Sequence, residues 1–148
     1  ALKEAEKEFN VEFDMLLIVE PTSPFRTSLD VENTCRELIK NNVDSVVCVS
    51  PLDTKCHPAK ALTIQNGRLN HYDQKGKDIT ARQQLERLYA RNGICYAIIK
   101  DCLLRSNDII TNKTRAFLVE RYIVNIDEPI DIKWAEFLVQ SGFVKLTS

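Results

Sequence analysis

Glycine is scarce: the chain has four, Gly67, Gly76, Gly93 and Gly142, and none falls in a GxGxxG or GxxxxGK pattern. Such patterns let backbone amides close around phosphates, so a glycine-rich phosphate cradle is absent from these residues. The five cysteines, Cys35, Cys48, Cys56, Cys95 and Cys102, form no CxxC pair. An odd count without regular spacing argues against a disulfide framework and reads as reduced thiols of a cytoplasmic protein. His57 and His71 are the only histidines, and Cys56-His57 has no zinc-like spacing. No apolar run approaches the ~18 residues that would span a bilayer, and the Lys- and Glu-rich opening is unlike a signal peptide. The net charge is -1 with both signs spread along the chain, which excludes a basic stripe for nucleic acid or a membrane surface.

What is present is an ordinary globular composition, 44% apolar and 28% charged. It predicts a single domain over 1–148 with a buried core. Met15 to Val19 is a continuous apolar run, read as a parallel strand covered on both faces. Thr27 and Asp30 have capping-box-like spacing before a helix whose apolar face is Val31, Cys35, Leu38 and Ile39. Ser45 to Val49 reads as a second buried strand, completing a βαβ unit.

Ala61 to Gln65 and Arg68 to Tyr72 flank Asn66-Gly67, a strong two-residue hairpin signal. Tyr72 to Thr80 reads as a loop, Gly93 to Ile99 as a third strand, and Asp101 to Leu104 as a short helix. Arg115 to Glu120 and Tyr122 to Ile126 contain strand-like runs. Pro129 suits the first turn of a last helix, with Ile130, Trp134, Phe137 and Leu138 as its apolar face and Gly142 at its end. The pattern is an α/β domain with a hairpin insertion over 55–90.

Ligands of open parallel sheets sit beyond the carboxyl ends of the strands. Two segments fall there. The first, Glu20-Pro21-Thr22-Ser23-Pro24-Phe25-Arg26, is stiffened by two prolines and can hold a hydroxylated anion at little ordering cost; its plainer reading is a turn with a helix cap. The second runs from Asn125 to Asp131. Residues two apart on an extended segment share a face, so Asn125 and Asp127 can aim two oxygens at one Mg²⁺ ion. The plainer reading is an acidic helix start. Arg82 can grip a carboxylate and Lys60 a phosphate, or both are solvated surface cations.

Leu16 to Leu138 holds an ordered set: Glu20-Pro-Thr-Ser-Pro-Phe-Arg26, Asp44-Ser-Val-Val47, His57-Pro58-x-Lys60, Arg82-Gln83, Asn92-Gly93-x-x-Tyr96, then Ile126-Asp127, Asp131 and Ala135-Glu136. In order and rough spacing these motifs resemble the acylneuraminate cytidylyltransferases. The resemblance implies a Rossmann-like, mostly parallel nucleotide-sugar transferase sheet with a hairpin used for homodimerisation. It implies a reaction in which the anomeric hydroxyl of a sialic-acid-like nonulosonic acid attacks the α-phosphate of CTP, with Mg²⁺, giving the CMP-sugar and pyrophosphate. By resemblance Glu20, Thr22, Ser23, Arg26, Gln83, Asn92 and Tyr96 face substrate. Lys60 and Arg82 reach from the hairpin into a partner's site, and Asp127, with Asn125 beside it, binds metal.

The chain departs from the family in three places. Glu20 stands where Gln is common, and Asn125-x-Asp127 where Asp-x-Asp is usual. The family's N-terminal strand and Gly-Ser-Lys nucleotide loop are not found, so upstream sequence is expected to carry them and the chain alone to bind CTP poorly. Two alternatives stand: activation of another sugar acid, such as 3-deoxy-octulosonate, or a non-catalytic oligomerisation module.

Overall fold

A surface helix, α1 (Leu2–Phe9), leads into the strand β1 (Met15–Ile18). The computed structural model describes residues 2–145. Thr27 then opens α2 (Ser28–Asn41) as its spacing to Asp30 predicts. The Thr27 amide donates to Asp30 Oδ2 at 2.7 Å, and the Asp30 amide donates to Thr27 Oγ1 at 3.2 Å. Each satisfies an amide that the helix start would otherwise leave unpaired. The buried stripe of α2 is Asp30, Thr34 and Leu38, flanked by Val31 and Cys35. Ile39, expected on this face, points to solvent.

The main sheet has four strands in the order β1-β5-β2-β6, with β2 at Ser45–Pro51, β5 at Tyr89–Ile99 and β6 at Thr114–Leu118. β1 runs antiparallel to β5, and β2 parallel to β6. The Ile99 amide donates to Asp44 O and the Leu52 amide to Leu88 O, so β5 also runs against β2. Three strands therefore share one direction and β5 alone is reversed, a mostly parallel α/β sheet. The short helix α3 (Lys100–Ser106) follows β5 directly.

Two strand expectations change. β1 is not a doubly covered strand: it lies at a sheet edge, and Met15, Leu17, Ile18 and Val19 are 37–42% exposed. The covered positions belong to β2 and β5, where residues 45–48 and 92–98 are buried. A continuous apolar run reports hydrophobicity, not a place in the sheet. Tyr122 to Ile126 forms no strand; the Ile126 amide donates to Thr22 O at 2.8 Å.

α4 (Pro129–Gln140) begins with Pro129 in its first turn, as expected. It buries Ala135 and Leu138 against Phe25 and Val124. Ile130, Trp134 and Phe137, expected to face the core, are largely exposed. No helix among the described residues is long and apolar enough to cross a membrane, and all five cysteines are free.

The chain divides into two compact units, one of residues 1–49 and 91–148 and one of Ser50–Ala90. The second contains the hairpin of β3 (Leu62–Gln65) and β4 (Arg68–His71). Asn66 and Gly67 both have positive φ, 51° and 75°, the backbone of the tight turn their sequence calls for. Residues 74–78, expected as loop, form a short 3-10 turn capped by Asp73, whose Oδ1 accepts from the Lys75 amide.

Candidate active site

The loop after β1 is held in place by its own polar side chains. Arg26 Nε donates to Ile94 O at 2.7 Å, and its Nη2 donates to Glu20 O. The Arg26 head group thus fastens the loop to β5. Ser23 is 5% exposed, and its Oγ lies 3.1 Å from Asn92 O and 2.9 Å from Asn125 Oδ1. One hydroxyl proton is shared between those two acceptors. Ser23 therefore joins three segments: the loop after β1, the buried part of β5 and the approach to α4.

Glu20 sits over β5. Its Oε1 accepts from the Tyr96 hydroxyl at 2.9 Å. Burial, followed by the hydrogen bond to Glu20 and the charge of Glu20, pushes the Tyr96 phenol above its ordinary range. Gly93 makes this approach possible. Its φ is +69°, and a Cβ there would meet Glu20 Oε2 at 2.4 Å and Ser23 Oγ at 2.9 Å. Asn92, 3% exposed, directs its Oδ1 to the Ile94 amide at 3.1 Å. Thr22 contributes its carbonyl to the bond from Ile126.

The structure thus gathers Glu20, Thr22, Ser23, Arg26, Asn92, Tyr96 and Asn125 within the first unit. Asp127 follows two residues later with its side chain exposed, and its amide donates to Asp131 Oδ2 at 3.0 Å. The described residues contain no group of three or more His, Cys, Asp or Glu placed to hold a metal. The oxygen chemistry of Asp127 nonetheless suits a hard cation that keeps most of its water. Asn125 Oδ1 is already engaged by Ser23.

Lys60, Arg82 and Gln83 belong to the second unit and are exposed there. Lys60 ends a 3-10 turn at Pro58–Lys60 that His57 caps, its Nδ1 accepting from the Ala59 amide at 3.1 Å. Arg82 opens a similar turn, where Gln84 Oε1 accepts from the Thr80 and Ala81 amides.

One pair escaped the sequence reading. Arg121 Nη1 donates to Asp30 Oδ1 at 2.8 Å, and its Nη2 donates to Phe25 O at 3.1 Å. Burial alone would raise the Asp30 pKa. Hydrogen bonds from Arg121 and Thr27, with the charge of Arg121, outweigh burial and hold it below the usual carboxylate range. The Thr27/Asp30 spacing marked the cap; nothing local marked Arg121.

No family model matches the chain. Two curated proteins are similar to it. The post-translational flagellin modification protein B of Campylobacter coli is 25% identical over 141 residues, 95% of this chain and 59% of that protein. The CMP-N,N'-diacetyllegionaminic acid synthase of Legionella pneumophila is 25% identical over 129 residues, 87% of this chain and 54% of that protein. The chain thus spans little more than half the length of these relatives. Among solved structures, a CMP:2-keto-3-deoxy-manno-octonic acid synthetase complexed with CTP superposes with a TM-score of 0.59 at 13% identity, over 95% of this chain and 67% of that one. A glucose-1-phosphate thymidylyltransferase, so described provisionally, from Bacillus anthracis gives 0.54 at 10% identity, over 100% and 63%. The chain shares the Rossmann-like α/β fold of these two structures.

Proposed function

We propose that this chain is part of a cytidylyltransferase that transfers CMP from CTP to a sialic-acid-like nonulosonic acid, releasing pyrophosphate. The observation that carries the reading is the convergence of Glu20, Ser23, Tyr96 and Asn125 beyond the carboxyl end of β1. The synthase similar to the chain makes a CMP-linked sugar acid by its name, which supports both the nucleotide and the substrate class.

In this reading the Glu20–Tyr96 pair orients hydroxyl or amide groups of the sugar. Ser23 and Arg26 keep the loop rigid, so little ordering is needed on binding. Asp127 would hold a magnesium ion, which when bound neutralises charge on the triphosphate. Lys60 and Arg82 are assigned as cations supplied to a partner copy, with Gln83 and Asn92 on the substrate side.

Homodimerisation is part of the proposal, and the hairpin supports it. The register pairs Ile64 with Leu69 and Leu62 with His71, which puts Leu62, Ile64 and Leu69 on one face. They are 51%, 74% and 65% exposed. An apolar face left uncovered on a two-stranded ribbon suits burial against a second copy.

The test is pyrophosphate release from CTP and Mg²⁺ by the protein of the complete gene, against nonulosonic and octulosonic acids. Release with a legionaminic- or sialic-type acid supports the reading. Release only with an octulosonate would move the substrate, and silence from a folded dimer would leave an oligomerisation module.

A further inference from the structure

On the first unit, α4 and the segments around Arg26 and Arg121 enclose two adjoining hollows. One, of about 320 Å³, is lined by Arg26, Arg121 and Lys145. The other, of about 330 Å³, is lined by Trp134. Tyr122 and Phe143 belong to both. One end is therefore cationic and the other aromatic.

The charges at the cationic end are unequal. Asp30 already answers Arg121 with a two-pronged ion pair. Arg26 spends two donors on the carbonyls of Ile94 and Glu20, which leave its formal charge in place. Among the described residues no carboxylate pairs with Arg26 or Lys145, and none lines either hollow. The aromatic end has a fixed wall. Trp134 stacks on Phe137 with centroids 5.3 Å apart, and its Nε1 donates to the Tyr122 hydroxyl at 3.1 Å. Phe143, 77% exposed, leaves a face open to a ligand.

We propose that this two-part hollow binds a small phosphate monoester bearing an aromatic ring, an aryl or nucleoside phosphate. Its anion lies between Arg26 and Lys145 and its ring against Tyr122 and Phe143. Two hollows that share aromatic walls set an anion and a flat apolar group at adjacent positions. Inorganic phosphate satisfies only one end and a neutral arene only the other. Arg26 serves the loop after β1 with the same head group, so occupancy of the hollow would bear on that loop.

The chain reports on itself, because Trp134 is its single tryptophan. Phenyl phosphate, inorganic phosphate and phenol are each titrated into the protein, followed by Trp134 emission and by calorimetry. A saturable change with phenyl phosphate is expected, with affinity about tenfold or more above either fragment. Phe143→Ala and Lys145→Ala sit at the exposed end, where truncation leaves the core intact. Each should weaken phenyl phosphate about fivefold with an unchanged circular dichroism spectrum. No saturable binding, or binding unaffected by both substitutions, overturns the proposal. No CTP is used, so this outcome is independent of the transfer reaction.

Discussion

The Tyr96 hydroxyl donates to Glu20 Oε1 across 2.9 Å, linking the buried middle of β5 to the loop that follows β1. Burial comes first among the causes of the raised Tyr96 pKa, then the bond to Glu20 and its charge. Glu20→Gln removes the charge and keeps an acceptor. The Tyr96 phenol should then titrate lower than in the parent, yet still above the ordinary value of about 10, because burial persists. A near-UV spectroscopic titration of both proteins measures this. An unchanged titration would mean that Glu20 does not face Tyr96.

Asp30 ties the start of α2 to Arg121. Asp30→Asn should cost about 2 kcal/mol in denaturant unfolding, since it weakens charge-assisted bonds and half of a capping box. The pH sign follows from the lowered folded pKa. The ionised carboxylate adds stability above its unfolded value of about 3.9, and that stability is lost as pH falls through the lower folded value. Acid unfolding of the parent should therefore steepen below about pH 4, and Asp30→Asn should flatten that limb.

Gly93→Ala should be among the most damaging single-methyl additions. It places a Cβ at positive φ and within 2.4 Å of Glu20 Oε2. A loss of about 2–3 kcal/mol is expected. Repeating the change in a Glu20→Ala background removes the carboxylate collision and leaves the φ strain and Ser23, so the cost should fall by about half. Purely additive costs would show that the two positions do not touch.

If the proposed homodimer is held by the hairpin face, Ile64→Lys with Leu69→Lys should shift the complete protein from dimer to monomer in sedimentation, with its far-UV spectrum retained. A dimer that survives both charges would remove the hairpin face from the interface.

Cys56 is exposed, while Cys48, Cys95 and Cys102 are buried and burial pushes Cys35 up. A native protein should give one fast thiol in a reagent assay, removed by Cys56→Ser, with the rest appearing on denaturation. Fast reaction at Cys48 or Cys95 would contradict the packing of β2 and β5.

Features written in neighbouring residues were the legible ones. Asn66-Gly67 specified its turn, Thr27 and Asp30 their cap, and Pro129 and Gly142 the limits of α4. Relations between distant segments were not. The apolar runs of β1, β2 and β5 carry neither strand direction nor strand order, so the edge position of β1 and the reversal of β5 emerged only in three dimensions. Helical periodicity placed Leu138 on the inner face of α4 but also Ile130, Trp134 and Phe137, and packing on Phe25 turned the helix to bury Ala135 with Leu138. Glu20, Ser23 and Tyr96 stood out as candidates from loop chemistry and resemblance. Their mutual bonds, such as Ser23 to Asn125 across 102 positions, depend on how the chain closes.

Gly93 also limits how selectivity at this loop can change. The space above it is filled by the Glu20 carboxylate and the Ser23 hydroxyl, so position 20 cannot grow without moving the strand beneath. Exchange at constant size remains open. Under the proposed function, a lineage would retune which sugar acid it takes by altering charge at position 20, while the backbone of the loop and of the strand beneath stays as it is.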